Sequence, residues 1–260
     1  VVTAGAYQNT KSLRFNNSDY LGGNAALLED ILGRPSNGSG SSDAWTISFF
    51  IKPGTATNQQ QTIFYFGSQS VSNAGYFQIK YNGSTSTGQR LNLRYGTNNN
   101  RIELNTGVGT LTPNVWSHGI VSYDGGTTGV DSGSMTDYYS RFKIFLNGVE
   151  TSTTGSHTNY GYSGSVLGEN FRIGRWNNGQ SLRNNTLIDE VAIWSGDQSS
   201  NASDIYNSGA AHDLGLLTTP PDHYYRCGDN DTFPTIQDTI GSAHFIMYNM
   251  NASDIVNEVP

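Results

Sequence analysis

The segment LIDEVAIWSGDQSSNASDIYNSG, residues 187–209, begins as a strand and ends as a helix, in a chain with few other helix-forming stretches. Its first part, IDEVAIW (188–194), combines β-branched and aromatic residues, which favours a strand. The strand contains an acidic pair, Asp189 and Glu190. Because successive strand residues point to opposite faces of a sheet, we expect that these two carboxylates do not line one cleft.

The second part, SSNASDIYNSG (199–209), predicts a short helix. Either Asn201 or Ser203 can cap its N-terminus, and Gly209 can end it. The sequence NASDI occurs again at 251–255 without a surrounding repeat, which indicates either chance or a local capping motif.

Short segments with alternating apolar residues recur along most of the chain. This pattern predicts an all-β fold, an antiparallel β-sandwich or jelly roll. The segments are 12–21, 45–53, 62–68, 76–83, 90–96, 100–105, 116–125, 141–150, 170–176 and 188–194. In RFKIFLNGVE (141–150), the dipeptide Asn147-Gly148 is a typical hairpin turn. We therefore expect a chain of strands joined by tight turns.

The length of 260 residues fits one large all-β domain with decorations. We expect the jelly roll to cover residues 1–217, because TTPPD (218–222) interrupts the strand pattern. Residues 218–260 alternate again and are expected to form an extension that packs on the sandwich or on a neighbouring subunit.

Charge and cysteine content exclude several classes of protein. The net charge is −7, and the 14 Lys and Arg residues are spread along the chain, which argues against nucleic acid as a partner. A single cysteine, Cys227, excludes an internal disulfide and a Cys-based zinc cluster. No apolar run reaches the roughly 20 residues of a membrane span, and VVTAGAYQNT (1–10) lacks the regions of a signal peptide. We expect a soluble protein.

Five motifs, taken in order, resemble those of the laminin-G-like, concanavalin A-like lectin/glucanase jelly roll. They are SLRFNNSDYL (12–21), WTISFFIKP (45–53), NVWSHGIVSYDGG (114–126), RFKIFLNGVE (141–150), and FRIGR (171–175) followed by LIDEVAIW (187–194). The resemblance covers about residues 10 to 210. It implies that the strand with Asp189 and Glu190 lies beside the N-terminal strand, and that a helix covers one end of the sandwich.

The tail YYRCGDNDTFPTIQDTIGS (224–242), with the terminal VNEVP (256–260), resembles the ends of such domains in marine bacteriophages and other viruses. This resemblance implies a virion-associated structural protein, such as a capsid decoration or a tail or fibre component. It also implies contacts with other virion proteins or with further copies of the chain, and a location on the virion surface or outside the cell.

Signatures of an enzyme are missing from the sequence. Glycoside hydrolases of this fold carry Glu-x-Asp-x-(x)-Glu on one strand, because retaining chemistry needs two carboxyl groups about 5–5.5 Å apart. No such spacing occurs, and no G-x-S-x-G, P-loop or H-E-x-x-H motif is found. We therefore expect a non-enzymatic protein, with glycoside hydrolysis as the least favoured alternative.

Calcium is the cofactor that the sequence favours, since the loops are rich in carboxylate and amide oxygens, and relatives of this fold often hold calcium. The candidate metal ligands are Asn17, Asp19, Asp124, Asp189, Asp229 and Asp231, and Asp131, Asp137 and Asp238 belong to the same sequence clusters. None of these clusters matches a complete calcium-loop pattern.

Carbohydrate binding would need aromatic side chains beside amides, because sugar rings present both C–H faces and hydroxyl groups. The candidates are Tyr160, Tyr162, Trp176, Asn177 and Asn178. Trp176 is expected to be exposed, whereas the strand residues Trp45, Trp116 and Trp194 are expected in the core.

Two hypotheses of function follow. In the first, loops around residue 160 and at 176–185 bind a glycan on a host surface, with calcium ordering a loop. In the second, the domain decorates a capsid or tail, and residues 223–260 dock on a neighbouring copy. An extracellular calcium-dependent carbohydrate-binding module, outside any virion, is the alternative to a virion protein.

Overall fold

A computed structural model gives the structure of residues 7–24, 28–32, 44–55, 58–67, 75–84, 88–96, 101–125, 139–158, 171–176 and 179–260. The described residues form two antiparallel sheets packed as a sandwich, which confirms the predicted all-β class. No helix among these residues is long and apolar enough to cross a membrane.

Strands make up most of the regular structure. They are β1 (Ser12–Phe15), β2 (Tyr20–Gly23), β3 (Trp45–Lys52), β4 (Gln60–Gly67), β5 (Tyr76–Asn82), β6 (Arg90–Gly96), β7 (Arg101–Thr106), β8 (Ser117–Tyr123), β9 (Phe142–Leu146), β10 (Val149–Glu150), β11 (Thr153–Thr158), β12 (Phe171–Ile173), β13 (Thr186–Trp194), β14 (His223–Tyr225), β15 (Thr235–Ile236), β16 (Phe245–Tyr248) and β17 (Ile255–Val256). The α-helices are α1 (Glu29–Leu32) and α2 (Ala202–Tyr206), and 3-10 turns lie at Ser199–Asn201, Asn207–Gly209, Leu214–Leu216 and Ala252–Asp254.

The eight-stranded sheet has the order β10-β9-β8-β3-β13-β1-β17, and β14 pairs with the second half of β13. The nine-stranded sheet has the order β11-β7-β6-β5-β4-β12-β2-β16-β15. The alternation of apolar residues along the strands buries one face of each sheet against the other. Trp45 lies in this core, stacked on Phe77 of the opposite sheet at a centroid distance of 5.0 Å.

The first predicted strand is in fact two strands in different sheets. In SLRFNNSDYL, β1 pairs with β13 in the eight-stranded sheet, and β2 pairs with β12 in the nine-stranded sheet. The turn between them is held by Asp19, whose carboxylate accepts a hydrogen bond from the Asn16 backbone N–H at 2.7 Å. The chain thus crosses from one sheet to the other within four residues.

Residues 218–260 contribute strands to both sheets. β14 and β17 join the eight-stranded sheet, and β15 and β16 join the nine-stranded sheet. Phe245 and Met247 of β16 are buried in the same core that the strands of residues 1–217 form. The tail is therefore part of the sandwich within this chain.

The helical segment covers the outer face of the eight-stranded sheet. Ala202 and Ile205 of α2 pack with Trp194 and Tyr224 in a second apolar cluster. Asn201 occupies the N-cap position of α2 without a side-chain capping bond. In the second NASDI copy, by contrast, Asn251 and Asp254 form a complete capping box, so that copy is a local capping motif.

Candidate functional site

The outer face of the nine-stranded sheet, which points away from the core, carries a cross-strand row made mostly of polar and aromatic residues, of which Tyr65 and Gln78 are buried. Each strand contributes one residue to the row, and on most strands the residues before and after it are packed in the core. Because side chains alternate along a strand, the residues of the row point away from the core. Cross-strand pairing gives the row the order Ser156, Glu103, Arg94, Gln78, Tyr65, Arg172, Gly22, Ile246 and Thr235. At about 4.8 Å per strand, the row is about 38 Å long.

One end of this face forms a cleft of about 370 Å³, called here the tyrosine cleft, between residues of β2, β12 and β16. Tyr20 and Tyr248 stack in it with centroids 4.8 Å apart and planes 10° apart, and Tyr248 is 44% exposed. Gly22 makes this stack possible, because a Cβ at that position would lie 2.7 Å from the Tyr248 ring. The glycine therefore positions an exposed aromatic platform on the sheet.

Cationic and polar groups surround the stacked rings. The guanidinium carbons of Arg172 and Arg175 lie 5.0 and 5.8 Å from the centre of the Tyr20 ring, within cation–π distance. His244 also lines the cleft, and its Nδ1 accepts a hydrogen bond from the Asp238 backbone N–H at 3.0 Å. In the neutral ring the proton is therefore on Nε2, which can donate to a ligand.

The centre of the outer face contains buried polar side chains with few partners. The Lys80 ammonium is fully buried and donates to Gln60 Oε1 at 2.9 Å. The amide of Gln78 donates to Thr62 Oγ1 at 2.6 Å and to Gln180 Oε1 at 3.2 Å. These bonds hold the amide and the ammonium in place on the sheet.

Beside Lys80 lies a group that we call the cationic group, made of Lys80, Arg94 and Arg101 around Glu103. Oε1 of Glu103 lies 2.6 Å from Nη2 of Arg94 and 3.1 Å from Nε of Arg101. Side-chain exposure is 18% for Arg94, 24% for Arg101 and 22% for Glu103. Two guanidinium groups thus share one carboxylate at the accessible edge of the buried polar centre.

Burial and like charge both act on the ionisation of Lys80. The pKa of Lys80 is lowered to about 7, first by burial and then by the positive charges of Arg94 and Arg101, although the charge of Glu103 raises it. Burial also raises the pKa of Glu103, but the three cations outweigh this and hold that pKa below its ordinary value. Near neutral pH, Lys80 can therefore change charge in response to a neighbouring anion.

A second cluster of ionisable groups lies at an irregularity in β13. The pairing of β13 with β3 shifts between Asp189 and Ala192, and Glu190 has a left-handed φ of 48°. Ile188 and Val191 both point into the core, so two residues rather than one lie between them. The expectation that Asp189 and Glu190 point to opposite faces is wrong, because this bulge breaks the alternation of the strand.

Both carboxylates bind the N-terminal segment. The Tyr7 hydroxyl donates to Glu190 Oε1 at 2.5 Å, and the Tyr224 hydroxyl donates to Glu190 Oε2. The Asn9 amide donates to Asp189 Oδ2 at 2.8 Å. Burial raises the pKa of Glu190 to about 7, although the two hydroxyls and Arg226 lower it, and burial also raises the pKa of Asp189. Because the partners of both carboxylates belong to this chain, the role of the cluster is to hold residues 7–10 against β13.

The predicted carbohydrate ligands lie mostly outside the described residues: Tyr160, Tyr162, Asn177 and Asn178. Trp176 is described, and it is only partly exposed, with its indole N–H buried. Trp176 is thus more exposed than Trp45 and Trp194, as expected, but it is not fully exposed. Trp45 and Trp194 are in the core as predicted, whereas Trp116 is only partly buried.

The predicted metal ligands that the structure describes do not come together at one site. Asp124 pairs with Arg141 at 3.0 Å, and Asn17 is exposed in the turn that Asp19 holds. Asp131 and Asp137 lie outside the described residues.

Three of the predicted ligands lie near the bulge of β13. Asp229 accepts hydrogen bonds from the backbone N–H and hydroxyl of Thr10, and Asp231 accepts from the backbone N–H of Gly228 and Gln237. Asp229 interacts electrostatically with Asp189. Among the described residues no three His, Cys, Asp or Glu side chains are grouped so that they could hold a metal ion.

The sequence patterns did not predict the tyrosine cleft or the cationic group. Their members are distant in the sequence, and cross-strand pairing brings them together. A signal was present in the alternation itself: in RLNLRYG and NRIELN the outward positions carry Asn, Arg and Glu rather than small polar residues. Reading the outward face of each strand would have found the cationic group, whereas the pairing of β2 with β16 could not be foreseen.

Comparison with known proteins now identifies the class. The family model of the concanavalin A-like lectin/glucanases superfamily matches residues 32–202, so the chain belongs to this superfamily. This confirms the resemblance inferred from the five motifs. A comparison with curated protein sequences finds no match.

Solved structures share the fold at low sequence identity. A protein of Bacteroides ovatus described as a candidate carbohydrate binding protein is similar with a TM-score of 0.56 and 17% identity, over 93% of this chain and 58% of that protein. The present chain thus spans less than two thirds of its length. A heptameric SAP-like pentraxin of Limulus polyphemus has a TM-score of 0.48 and 15% identity, over 76% of this chain and 82% of that one.

Proposed function

We propose that the protein is a non-enzymatic carbohydrate-binding domain, and that the glycan lies on the outer face of the nine-stranded sheet with the tyrosine cleft as its main contact. The observation that carries this proposal is the stacked pair of Tyr20 and Tyr248 in an open cleft. Membership of the lectin/glucanases superfamily supports the same class of ligand.

The chemistry of the tyrosine cleft suits a sugar ring. The exposed face of Tyr248 can pack against the C–H face of a pyranose, and Gly22 leaves room for the Tyr248 ring to lie flat on the sheet. Arg172 and His244 supply hydrogen-bond donors for the hydroxyl groups at the edge of the ring.

The arrangement of the carboxylates favours carbohydrate binding over glycoside hydrolysis. Hydrolysis of a glycoside with retention needs two carboxyl groups that flank the sugar. On the outer face, Glu103 is the single carboxylate among the described residues, and two arginines already bind it. Asp189 and Glu190 are close together but are buried under Tyr7 and Tyr224.

The test is binding of the purified protein to a panel of polysaccharides by affinity electrophoresis and calorimetry. Tyr248→Ala is expected to weaken binding about tenfold or more, since the loss of a stacked aromatic contact costs about 1–3 kcal/mol by analogy with other stacked ligands. Leu216→Ala is the control, because Leu216 is 83% exposed and lies beside Ile205 of α2, away from the tyrosine cleft. Equal binding by the two variants would contradict the assignment of the cleft.

A role in a virion and a requirement for calcium are separate proposals. The virion role rests on the resemblance of residues 224–242 to viral domains, and calcium rests on the family resemblance. Light scattering and thermal unfolding with and without EDTA test both. A trimer or larger assembly whose mass and melting temperature do not change with EDTA supports a virion building block. A monomer whose melting temperature falls with EDTA supports a calcium-dependent lectin.

A further inference from the structure

The strands at the ends of the two sheets differ in length. β10, β15 and β17 are each two residues long, whereas β11 has six residues, Thr153–Thr158. In the described part of the chain, the backbone of β11 pairs with β7 alone. The opposite edge of β11 therefore presents backbone N–H and C=O groups with which a further strand can pair.

The sequence of β11 lacks the features that commonly keep an edge strand unpaired. Natural edge strands are often very short, or they carry lysine, proline or a bulge. TTGSHT (153–158) contains no Lys, Arg, Asp, Glu or Pro, and β11 pairs with β7 without a register shift. Thr154 and Ser156, which point outward from the sheet, are exposed. This edge is thus open to strand addition along its length.

The edge is also held in position from its inner side. Tyr139 packs against β11 at Gly155, where a Cβ would lie 2.5 Å from the Tyr139 ring. The Tyr139 side chain in turn packs on the core between the two sheets. A partner strand would therefore meet a preformed edge, which reduces the cost of ordering this strand on association.

A cleft of about 540 Å³ lies next to this edge, between β11 and the hairpin of β9 and β10. Two charged residues of the hairpin, Lys143 and Glu150, belong to its lining. Val149, which precedes Glu150 in β10, is an apolar side chain with 68% exposure. A partner that pairs with β11 can thus also enter the cleft and cover apolar surface, as interfaces between proteins do.

The distribution of charge at this edge favours a second copy of the chain as the partner. The whole chain has a net charge of −7, so two copies repel each other over most approaches. At this edge the strand is uncharged, and Lys143 and Glu150 have opposite signs. A two-fold contact uses the same patch on both copies, and this patch can meet itself without net repulsion. A strongly acidic or basic partner would find no matching charge in it.

We propose that β11 pairs antiparallel with β11 of a second copy about a two-fold axis, which joins the two nine-stranded sheets into one continuous sheet. Antiparallel pairing brings the outward residues Thr154 and Ser156 of the two copies next to each other. The contact lies at the end of the nine-stranded sheet opposite to β15, so it differs from docking through residues 223–260.

The dimer would carry two tyrosine clefts on the same side of the continuous sheet. Counted in strand spacings, they would lie about 60 Å apart along the sheet. If the proposed function holds, the dimer is therefore a bivalent binder, which gains avidity on a surface that displays many glycans. Formation of the dimer itself requires no ligand, so its test is independent of that function.

The experiment is analytical ultracentrifugation of the whole chain over a concentration series from about 1 to 100 µM. We expect a species of twice the 28.2 kDa mass of the chain. Thr154→Lys and Thr154→Glu, each alone, are expected to raise the dimer dissociation constant at least about tenfold, because each places like charges side by side in the pairing. An equal mixture of the two variants is expected to restore the dimer, since the charges are then opposite.

Leu216→Lys is the matched control, because it introduces the same charge at a position that is 83% exposed beside α2 in the other part of the molecule. It is expected to leave the dissociation constant unchanged. Circular dichroism checks that each variant is folded. Ser156→Lys is the second variant, at the next outward position of β11, if Thr154→Lys fails to fold.

A chain that stays monomeric throughout the concentration series overturns the proposal. A dimer that Thr154→Lys leaves intact, or that Leu216→Lys weakens instead, overturns β11 as the contact. A mixture that stays monomeric although both variants are folded overturns pairing of the two β11 strands. None of these results bears on the tyrosine cleft, and failure to bind across the polysaccharide panel would overturn the proposed function while leaving the dimer in place.

Discussion

Glu190 has a left-handed backbone conformation and a carboxylate enclosed by the hydroxyl groups of Tyr7 and Tyr224. The pKa of Glu190 is about 7 in the folded protein, against an ordinary value of 4.5, mainly because of burial. The folded state therefore binds this proton more tightly than the unfolded state between these two pH values. The contribution of protonated Glu190 to the stability of the folded protein is fully present below pH 4.5 and is lost as the pH rises through 7.

From this shift we predict that the free energy of unfolding falls by up to about 3 kcal/mol between pH 4.5 and 8. Glu190→Gln is expected to reduce the dependence of the unfolding free energy on pH, since the amide does not titrate. Chemical denaturation at a series of pH values measures it. Glu150→Gln removes an exposed carboxylate of β10 and should keep the slope of the natural protein. An unchanged slope in Glu190→Gln would assign the dependence to another group, of which Asp189 is the nearest.

Lys80 places an ammonium group in a buried environment at a cost in stability. We predict that Lys80→Met raises the free energy of unfolding by about 1 kcal/mol or more at pH 6. Its folded pKa of about 7 lies below the ordinary 10.5, so the gain is largest below pH 7 and shrinks as the pH rises toward 10.

Thermal unfolding at pH 6 and pH 9 checks this prediction. Lys143→Met is the control, because the exposed side chain of Lys143 on β9 should change stability by less than about 0.5 kcal/mol. A Lys80→Met protein less stable than the natural one at pH 6 would mean that the hydrogen bond to Gln60 outweighs the cost of burial.

At the scale of single residues, sequence reasoning located some side chains and misplaced others. Trp45 and Trp194 are buried because they belong to the apolar face of their strands. The direction of Glu190 was not predictable, since a bulge depends on the pairing of β13 with β3. The partial burial of Trp176 likewise depends on tertiary contacts that its polar sequence neighbours do not reveal.

At the scale of elements, the hairpin of β9 and β10 agrees with the prediction from Asn147-Gly148. Both residues have positive φ, 50° and 77°, as a tight two-residue turn requires. Asn147 also ties the turn to β8: its backbone N–H donates to the carbonyl of His118 at 2.9 Å, and its side-chain oxygen accepts from the His118 N–H at 2.8 Å.

Asn147→Pro is therefore expected to lower the free energy of unfolding by about 3 kcal/mol, because proline cannot adopt this φ and lacks the N–H. Asn147→Gly keeps the backbone conformation and should cost only about 1 kcal/mol, the usual value of one side-chain hydrogen bond. Differential scanning calorimetry compares the two. Equal melting temperatures for the proline variant and the natural protein would show that the turn does not constrain the sheet.

Strands in which apolar and polar residues alternate clearly were predictable from the sequence. Strands without this alternation were not. The segments of β3 and β8 gave clear patterns because one face is apolar along the full strand. β11 was missed, since TTGSHT (153–158) has no apolar face and forms the edge of its sheet beside β7. The tail strands are only two to four residues long, which is too short for a periodic signal.

At the scale of the whole molecule, the two sheets depend on strands from both ends of the chain. β17 pairs with β1, and β16 pairs with β2, while Phe245 fills the core between the sheets. A boundary at residue 217 could be inferred from the prolines of TTPPD, but the pairing of the tail could not, because it joins residues more than 200 positions apart.

We predict that deletion of residues 245–260 prevents folding, since it removes a buried strand from the nine-stranded sheet and exposes the apolar face of β2. Circular dichroism and proton NMR dispersion measure the outcome. Phe233→Ser is the control within the tail, because it changes an exposed position without removing a strand. A truncated protein with a cooperative unfolding transition would show that the sandwich is complete without β16 and β17.

The pairing of the first two strands also sets an order for folding during synthesis. β1 and β2 leave the ribosome before the other described strands of the sandwich, yet their partners all lie between residues 171 and 256. These two strands must therefore wait, unpaired, while most of the chain is translated, and closure of both sheets becomes a late and slow event. Chaperones that hold extended apolar segments would be expected to act on β1 and β2 of this protein.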